Sequence, residues 1–209
     1  MSNREFVPVP TNKEEKRLFF HSIYLLDADG LSDALGDYTK YREVTSPASP
    51  NVKSDFHEEP GFEPLTNLIL NEISGICREI FEYSDEYEYE ITQMWMNCLE
   101  PGQSHHIHTH HNTLWSGVFY LNGEYKEFPG INFENPFYKH FVLTYKRLNA
   151  YNGNNWEFPS KKDRLILFPS YMRHWVEPNN TAKERWGMSF NVIARGRYEP
   201  ERSLQSVVI

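Results

Sequence analysis

From Tyr87 onward the chain reads as a succession of short apolar strands with long, turn-rich connections. No other feature of its 209 residues restricts the fold as much. YEYEITQMWMNCL (87–99) alternates, which predicts Tyr87, Tyr89, Ile91, Gln93, Trp95 and Asn97 on one face of a strand. LWSGVFYL (Leu114–Leu121), FVLTYKRL (Phe141–Leu148), DRLILFP (Asp163–Pro169) and WGMSFNVIA (Trp186–Ala194) are further strand candidates. The intervening NGEYKEFPG, AYNGNNWEFPS and EPNNTAKE supply the Gly, Asn and Pro that turns need. Strands at this spacing predict a mainly β fold, a sandwich or jelly roll preceded by helices.

The first third supplies the supporting elements. RLFFHSIYLL (Arg17–Leu26) is a strand candidate, and DADGLSDALGDYTKY reads as a turn and a short helix. TSPASPNVKSDFHEEPGF is a surface loop, with His57 expected at the surface. In PLTNLILNEISGICREIFEY (64–83), Leu65, Leu68, Ile69, Ile73, Ile76, Cys77 and Ile80 recur at helical spacing and predict a scaffold helix covering a sheet. The length suggests one domain, divided into a scaffold (1–86), a jelly-roll core (87–196) and a tail (197–209).

A net charge of −8 argues against a nucleic-acid-binding surface, which needs clustered Lys and Arg. Lys161, Lys162 and Arg164 form a short basic run, read as a solvated loop. Cys77 and Cys98 are expected to be small buried apolar residues in a reducing compartment, not a disulfide framework. No apolar run approaches the roughly 18 residues of a membrane span. The first residues also lack the apolar stretch of a signal peptide, so the expected location is cytoplasmic.

One stretch stands out chemically. HHIHTHH (105–111) carries five of the nine histidines and runs directly into the strand LWSGVFYL. In an extended segment His106, His108 and His110 share one face, while His105 and His111 point away. Two imidazoles at i and i+2 can converge on one ion, and neutral imidazole suits Fe, Zn, Cu and Ni. His174, just past the apolar strand LILFP, is the candidate third ligand. Taken alone, H-x-H is equally compatible with exposed side chains or backbone contacts. His21 and His140 have no such context and read as ordinary structural or surface residues.

The flanking residues are more specific. Trp95-Met-Asn97, then His108-Thr-His110 leading into Ser116-Gly-Val-Phe-Tyr-Leu, then LILFPSYMRHWVEPNN and ERWGMSFN, resemble the iron(II)/2-oxoglutarate oxygenases found in bacteria and marine phages. The likeness runs from about Trp95 to Val192 in two blocks. It implies a double-stranded β-helix, a cupin-like jelly roll, with Fe(II) and 2-oxoglutarate as cofactors and molecular oxygen as oxidant. It also selects His108, His110 and His174 as metal ligands, leaving His106 outside the pattern.

Enzymes of this kind usually hold iron with two histidines and one carboxylate. No Asp or Glu lies between Glu100 and Glu124, so a three-histidine site is favoured over a carboxylate arriving from elsewhere. The resemblance makes Arg185 the partner of the distal carboxylate of 2-oxoglutarate, a role that suits the guanidinium fork. The alternative is a surface arginine paired with Glu184. Gly187 stands where the family commonly has Ser, and Ser189 is the candidate substitute. Trp95, Asn97, Tyr120 and Asn191 are expected to line the same cavity. Trp95 and Tyr120 also fit as core aromatics, whereas a buried amide such as Asn97 needs partners.

The implied reaction is hydroxylation of a small-molecule or peptide substrate with formation of succinate and CO2. Part of 122–162 is a candidate lid. Two rival functions are a three-histidine cupin-like enzyme that does not use 2-oxoglutarate, and a non-catalytic jelly-roll binding module. The sequence leaves the substrate and the oligomeric state open.

Overall fold

The computed structural model describes residues 22–46, 51–137, 143–149, 151–199, 204 and 206–209. Two antiparallel sheets form its body. The major sheet has the order β1-β7-β4-β9-β2, built from Tyr24–Asp27 (β1), Glu88–Leu99 (β2), Trp115–Tyr120 (β4), Arg164–Pro169 (β7) and Arg185–Arg195 (β9). The minor sheet has the order β3-β8-β5-β6, from His105–His108 (β3), Ile131–Glu134 (β5), Asn155–Phe158 (β6) and His174–Val176 (β8).

Alternation in the major sheet sorts its side chains into two layers. Phe119, Leu165, Leu167, Trp186, Met188 and Phe190 face outward into a large apolar cluster with the helix Glu63–Gly75, contributed by Leu65, Ile69 and Ile73. Val118, Tyr120, Ile166 and Phe168 face inward and pack against Ile131 and Phe133 of β5. The predicted scaffold helix thus covers the outer face, and the polar members of β2 and β9 are left for the interior between the sheets. Gly117 sits where β4 is tightest. A Cβ there would lie 2.3 Å from the Phe190 ring and 2.6 Å from the Ile166 carbonyl oxygen.

Three expectations change in phase. The register of β2 on β9 shifts between Ile91 and Gln93. This irregularity puts Ile91 with Met94 and Met96 in the outer cluster, and separates it from the predicted face of Gln93, Trp95 and Asn97. The scaffold helix ends in a π-turn, Ile76–Ile80, whose extra residue per turn rotates Ile80 into solvent at 60% exposure. His57, expected at the surface, is only partly exposed, and its Nδ1 is buried.

The strand expected at Phe141–Leu148 is absent among its described residues, 143–148. The minor-sheet strands β5 and β6 lie within 122–162, where turns and a candidate lid were expected. Of Arg17–Leu26, the part from Tyr24 forms β1; His21 and His140 lie outside the described residues. Cys77 and Cys98 are buried free thiols, with burial pushing Cys98 up to about 12. The basic run is paired: Lys161 and Arg164 with Asp27, Lys162 with Asp33. Among the described residues, no helix is long and apolar enough to cross a membrane.

Candidate metal centre

β3 and β8 pair so that His108 stands directly opposite His174. The chain then leaves β3, and the His110 backbone N–H donates to the Ser170 carbonyl at 3.0 Å, turning His110 back toward the pair. The ring centroids of His108 and His174 are 4.3 Å apart, and each is 5.1 Å from that of His110. Each ring offers a nitrogen, and the three nitrogens lie within 4.8 Å of one another. One ion can bridge that spacing. Among the described residues no carboxylate joins the group.

Two local bonds prepare the rings. His108 Nδ1 is 2.7 Å from the His106 carbonyl oxygen, and His174 Nδ1 is 2.9 Å from that of Met172. A carbonyl only accepts, so in both rings Nδ1 carries a proton, which leaves Nε2 as the nitrogen that can ligate. That is the tautomer and orientation a metal-ligating imidazole needs. Burial pushes His174 down to about 3, with the neighbouring His108 and His110 acting the same way. Burial, then His108 and His111, brings His110 down to about 4. Both rings are therefore neutral ligands at pH 7. Phe168 and Phe133 pack on His174 with ring centroids 4.7 and 5.9 Å away, and Trp95 lies 5.9 Å from His110.

The three histidines border a cavity of about 340 Å³ that also takes Trp95, Asn97, Arg185 and Ser189 from the major sheet. Trp95 Nε1–H donates to Asn97 Oδ1 at 3.2 Å, and Asn97 Nδ2 donates to Ser189 Oγ at 2.6 Å. These bonds supply the partners a buried amide requires. Arg185 is 6% exposed, with its guanidinium 5.0 Å from the centre of the Tyr120 ring. The alternative pairing with Glu184 does not form: Glu184 binds Arg42 and the Trp186 indole N–H instead. Arg185 Nη1 and the Tyr120 hydroxyl are buried without hydrogen-bond partners among the described residues. A buried cation with a free donor, facing a cavity, is chemically an anion site.

Asn191 lies apart from this lining. Its amide oxygen accepts from Ser116 Oγ at 2.8 Å, and its Nδ2 donates to Gln93 at 3.0 Å. Ser116 Oγ also lies 2.9 Å from Ser170 Oγ. A hydroxyl has one proton, so Ser116 donates to Asn191 and accepts from Ser170. The resulting chain ends on the residue whose carbonyl holds the His110 backbone.

Sequence reasoning missed His105. Strict alternation turns it away from His108, but the β3–β8 register is irregular between these two residues. His105 consequently lines the same cavity, with its Nε2 buried. Nothing in the sequence marks that bulge.

Residues 93–191 match the model of the family described as "Putative 2OG-Fe(II) oxygenase". This segment, just under half of the chain, is similar to the 2OG-Fe(II) oxygenases. It includes the three histidines and Arg185. No curated protein sequence matches the chain.

Among solved structures, the fold resembles a prolyl-4-hydroxylase of Pseudomonas putida at 16% identity and a TM-score of 0.55, over 84% of this chain and 89% of that one. It also resembles HygX of Streptomyces hygroscopicus, solved with nickel and 2-oxoglutarate bound, at 9% identity and a TM-score of 0.55 over 82% of each chain. A third likeness is to SnoN, a non-haem alpha-ketoglutarate-dependent epimerase of nogalamycin biosynthesis. There the identity is 12% and the TM-score 0.56, over 88% of this chain and 83% of that one. These likenesses are of fold, and the fold is the double-stranded β-helix of 2OG-Fe(II) oxygenases. The matched region spans 59% of the length of a 2OG-Fe(II) oxygenase-family protein of Burkholderia pseudomallei and 65% of AviO1 of Streptomyces viridochromogenes.

Proposed function

We propose that the protein is a 2-oxoglutarate-dependent non-haem iron oxygenase that hydroxylates a small-molecule or peptide substrate in the cytoplasm. The observation that carries this reading is the pairing, in one cavity, of a three-imidazole cluster with a buried arginine whose Nη1 has no hydrogen-bond partner among the described residues. His108, His110 and His174 are the residues that would hold Fe(II). Arg185 would hold the distal carboxylate of 2-oxoglutarate. When bound, iron and 2-oxoglutarate supply oxidative decarboxylation of the oxo acid by O2 to succinate and CO2, coupled to oxidation of a substrate C–H bond.

The chain's own residues provide position and environment. Phe133 and Phe168 wall the His174 ring from water, which strengthens every charge interaction beside it. The Tyr120 ring, 5.0 Å from the guanidinium, packs beside the cation and limits its motion before the co-substrate arrives. The Trp95–Asn97–Ser189 bonds hold a polar wall in one arrangement next to the histidines. Three neutral ligands leave the ion one unit more positive than a set with a carboxylate would. That charge favours an anionic co-substrate.

The all-histidine set also favours a second reading, a three-histidine metalloenzyme that takes no 2-oxoglutarate. Anaerobic titration of the Fe(II)-loaded protein with 2-oxoglutarate, followed by assay of oxygen-dependent succinate, separates the two. Binding abolished by Arg185→Gln, together with succinate formation, supports the oxygenase. Absence of both in the wild type, or activity indifferent to Arg185→Gln, supports the second reading.

A further inference from the structure

His105 reaches the cavity from the minor sheet, and Arg185 reaches it from the major sheet. His105 Nε2 and Arg185 Nη1 are both closed to solvent and without hydrogen-bond partners among the described residues. Both side chains border the same cavity, and after burial the charge of Arg185 is the largest influence holding His105 neutral. A buried donor left unpaired costs about 1–3 kcal/mol. Two such donors on opposite walls are satisfied together by one ligand with two acceptor atoms, and a carboxylate has that form. A neutral imidazole suits this place because it adds an N–H without adding a second positive charge beside the guanidinium.

The backbone supports a dedicated position. The irregular register between His105 and His108 turns both side chains to the cavity, although their odd spacing would put them on opposite faces of a regular strand. Bulges of this kind re-aim single side chains.

We infer that His105 is a second ligand of the co-substrate's distal carboxylate, donating Nε2–H to one oxygen while Arg185 holds the other. The inference rests on the reading of this cavity as a 2-oxoglutarate site. It makes His105 a specificity residue. A 2-oxo acid without the distal carboxylate leaves two buried donors unpaired, a penalty that binding sites use to reject analogues.

The test is calorimetric binding of 2-oxoglutarate and of 2-oxopentanoate, which has the same chain length without the second carboxylate. The protein is loaded with Mn(II) and kept anaerobic. His105→Phe should weaken 2-oxoglutarate about tenfold or more, the value of a hydrogen bond to a charged group. It should leave 2-oxopentanoate and Mn(II) affinity unchanged, and His105→Gln should recover part of the loss. In Zn(II)-loaded wild type, the Nε2 15N resonance of His105 should move with 2-oxoglutarate and not with 2-oxopentanoate, a readout that needs no substitution. Equal weakening of both acids by His105→Phe, or an unmoved resonance, overturns the inference. If Arg185→Gln weakens 2-oxoglutarate while His105→Phe does not, His105 alone is misassigned. If the wild type binds both acids equally, the co-substrate reading fails, and this inference with it.

Discussion

Replacing Ser116 with alanine should lower both the stability of the protein and its affinity for metal. The Ser116 hydroxyl is 1% exposed and makes two bonds, accepting from Ser170 Oγ at 2.9 Å and donating to Asn191 Oδ1 at 2.8 Å. Alanine fits the space but strands a buried hydroxyl and a buried amide oxygen. At about 1–3 kcal/mol for each unpaired group, the expected loss is about 2–6 kcal/mol. For a chain of this length each kcal/mol moves the melting temperature by about 2–4 °C, so a fall of roughly 4–24 °C follows. The Ser170 carbonyl accepts the His110 backbone N–H at 3.0 Å, which connects the same bonds to a proposed metal ligand. Loss of an outer support of this type costs about 10–100-fold in metal affinity, and about tenfold is expected here, one residue further out. Thermal melts and a Co(II) titration of wild type, Ser116→Ala, Asn191→Ala and the double variant form the assay. A fall below about 2 °C, or additive effects of the two single substitutions, would refute the chain of bonds.

The scaffold helix offers a test of phase. Ile80→Lys should change stability by no more than about 0.5 kcal/mol, whereas Ile73→Ala, at a fully buried position, should cost about 2–5 kcal/mol by denaturant melts. Gly117→Ala should cost at least about 2 kcal/mol, because a backbone carbonyl cannot retreat as a ring can; an unaltered melt would contradict the close packing of β4. Bonds from Arg164, then Lys161, hold the Asp27 carboxyl at about 2 against an ordinary 3.8. A lowered folded-state value gives stability that is present above the ordinary value and lost as pH falls through about 2. Between pH 4 and pH 2 the Asp27→Asn variant should therefore show a shallower loss of stability than wild type, measured by chemical denaturation; parallel curves would count against this pair.

The strongest strands were legible because burial on both faces forces long apolar runs. Leu114–Leu121, Asp163–Pro169 and Trp186–Ala194 coincide with β4, β7 and β9, the middle of the major sheet. β5 and β6 were not, since INFE and NWEF are four residues each and β6 is largely exposed, leaving little pattern to read. His108, His110 and His174 were found through spacing and a family resemblance, and the structure gathers them into one group. His105 and Ile91 were assigned to the wrong faces for one reason. Each lies beside a register irregularity, and a single extra residue reverses every inference from alternation beyond it. Arg185 and Glu184 adjoin in sequence, but strand geometry sends them to opposite faces, so only the fold could decide against their pairing.

The pairing of His108 with His174 across β3 and β8 also bears on how such a protein can change. The distance between these two imidazoles is set by hydrogen-bonded register, and the 65 residues of chain between them do not enter into it. Insertions or replacements in the connecting chain can thus leave the spacing of the two imidazoles as it is. The spacing is a property of strand pairing, and an engineer could alter the intervening chain without rebuilding it.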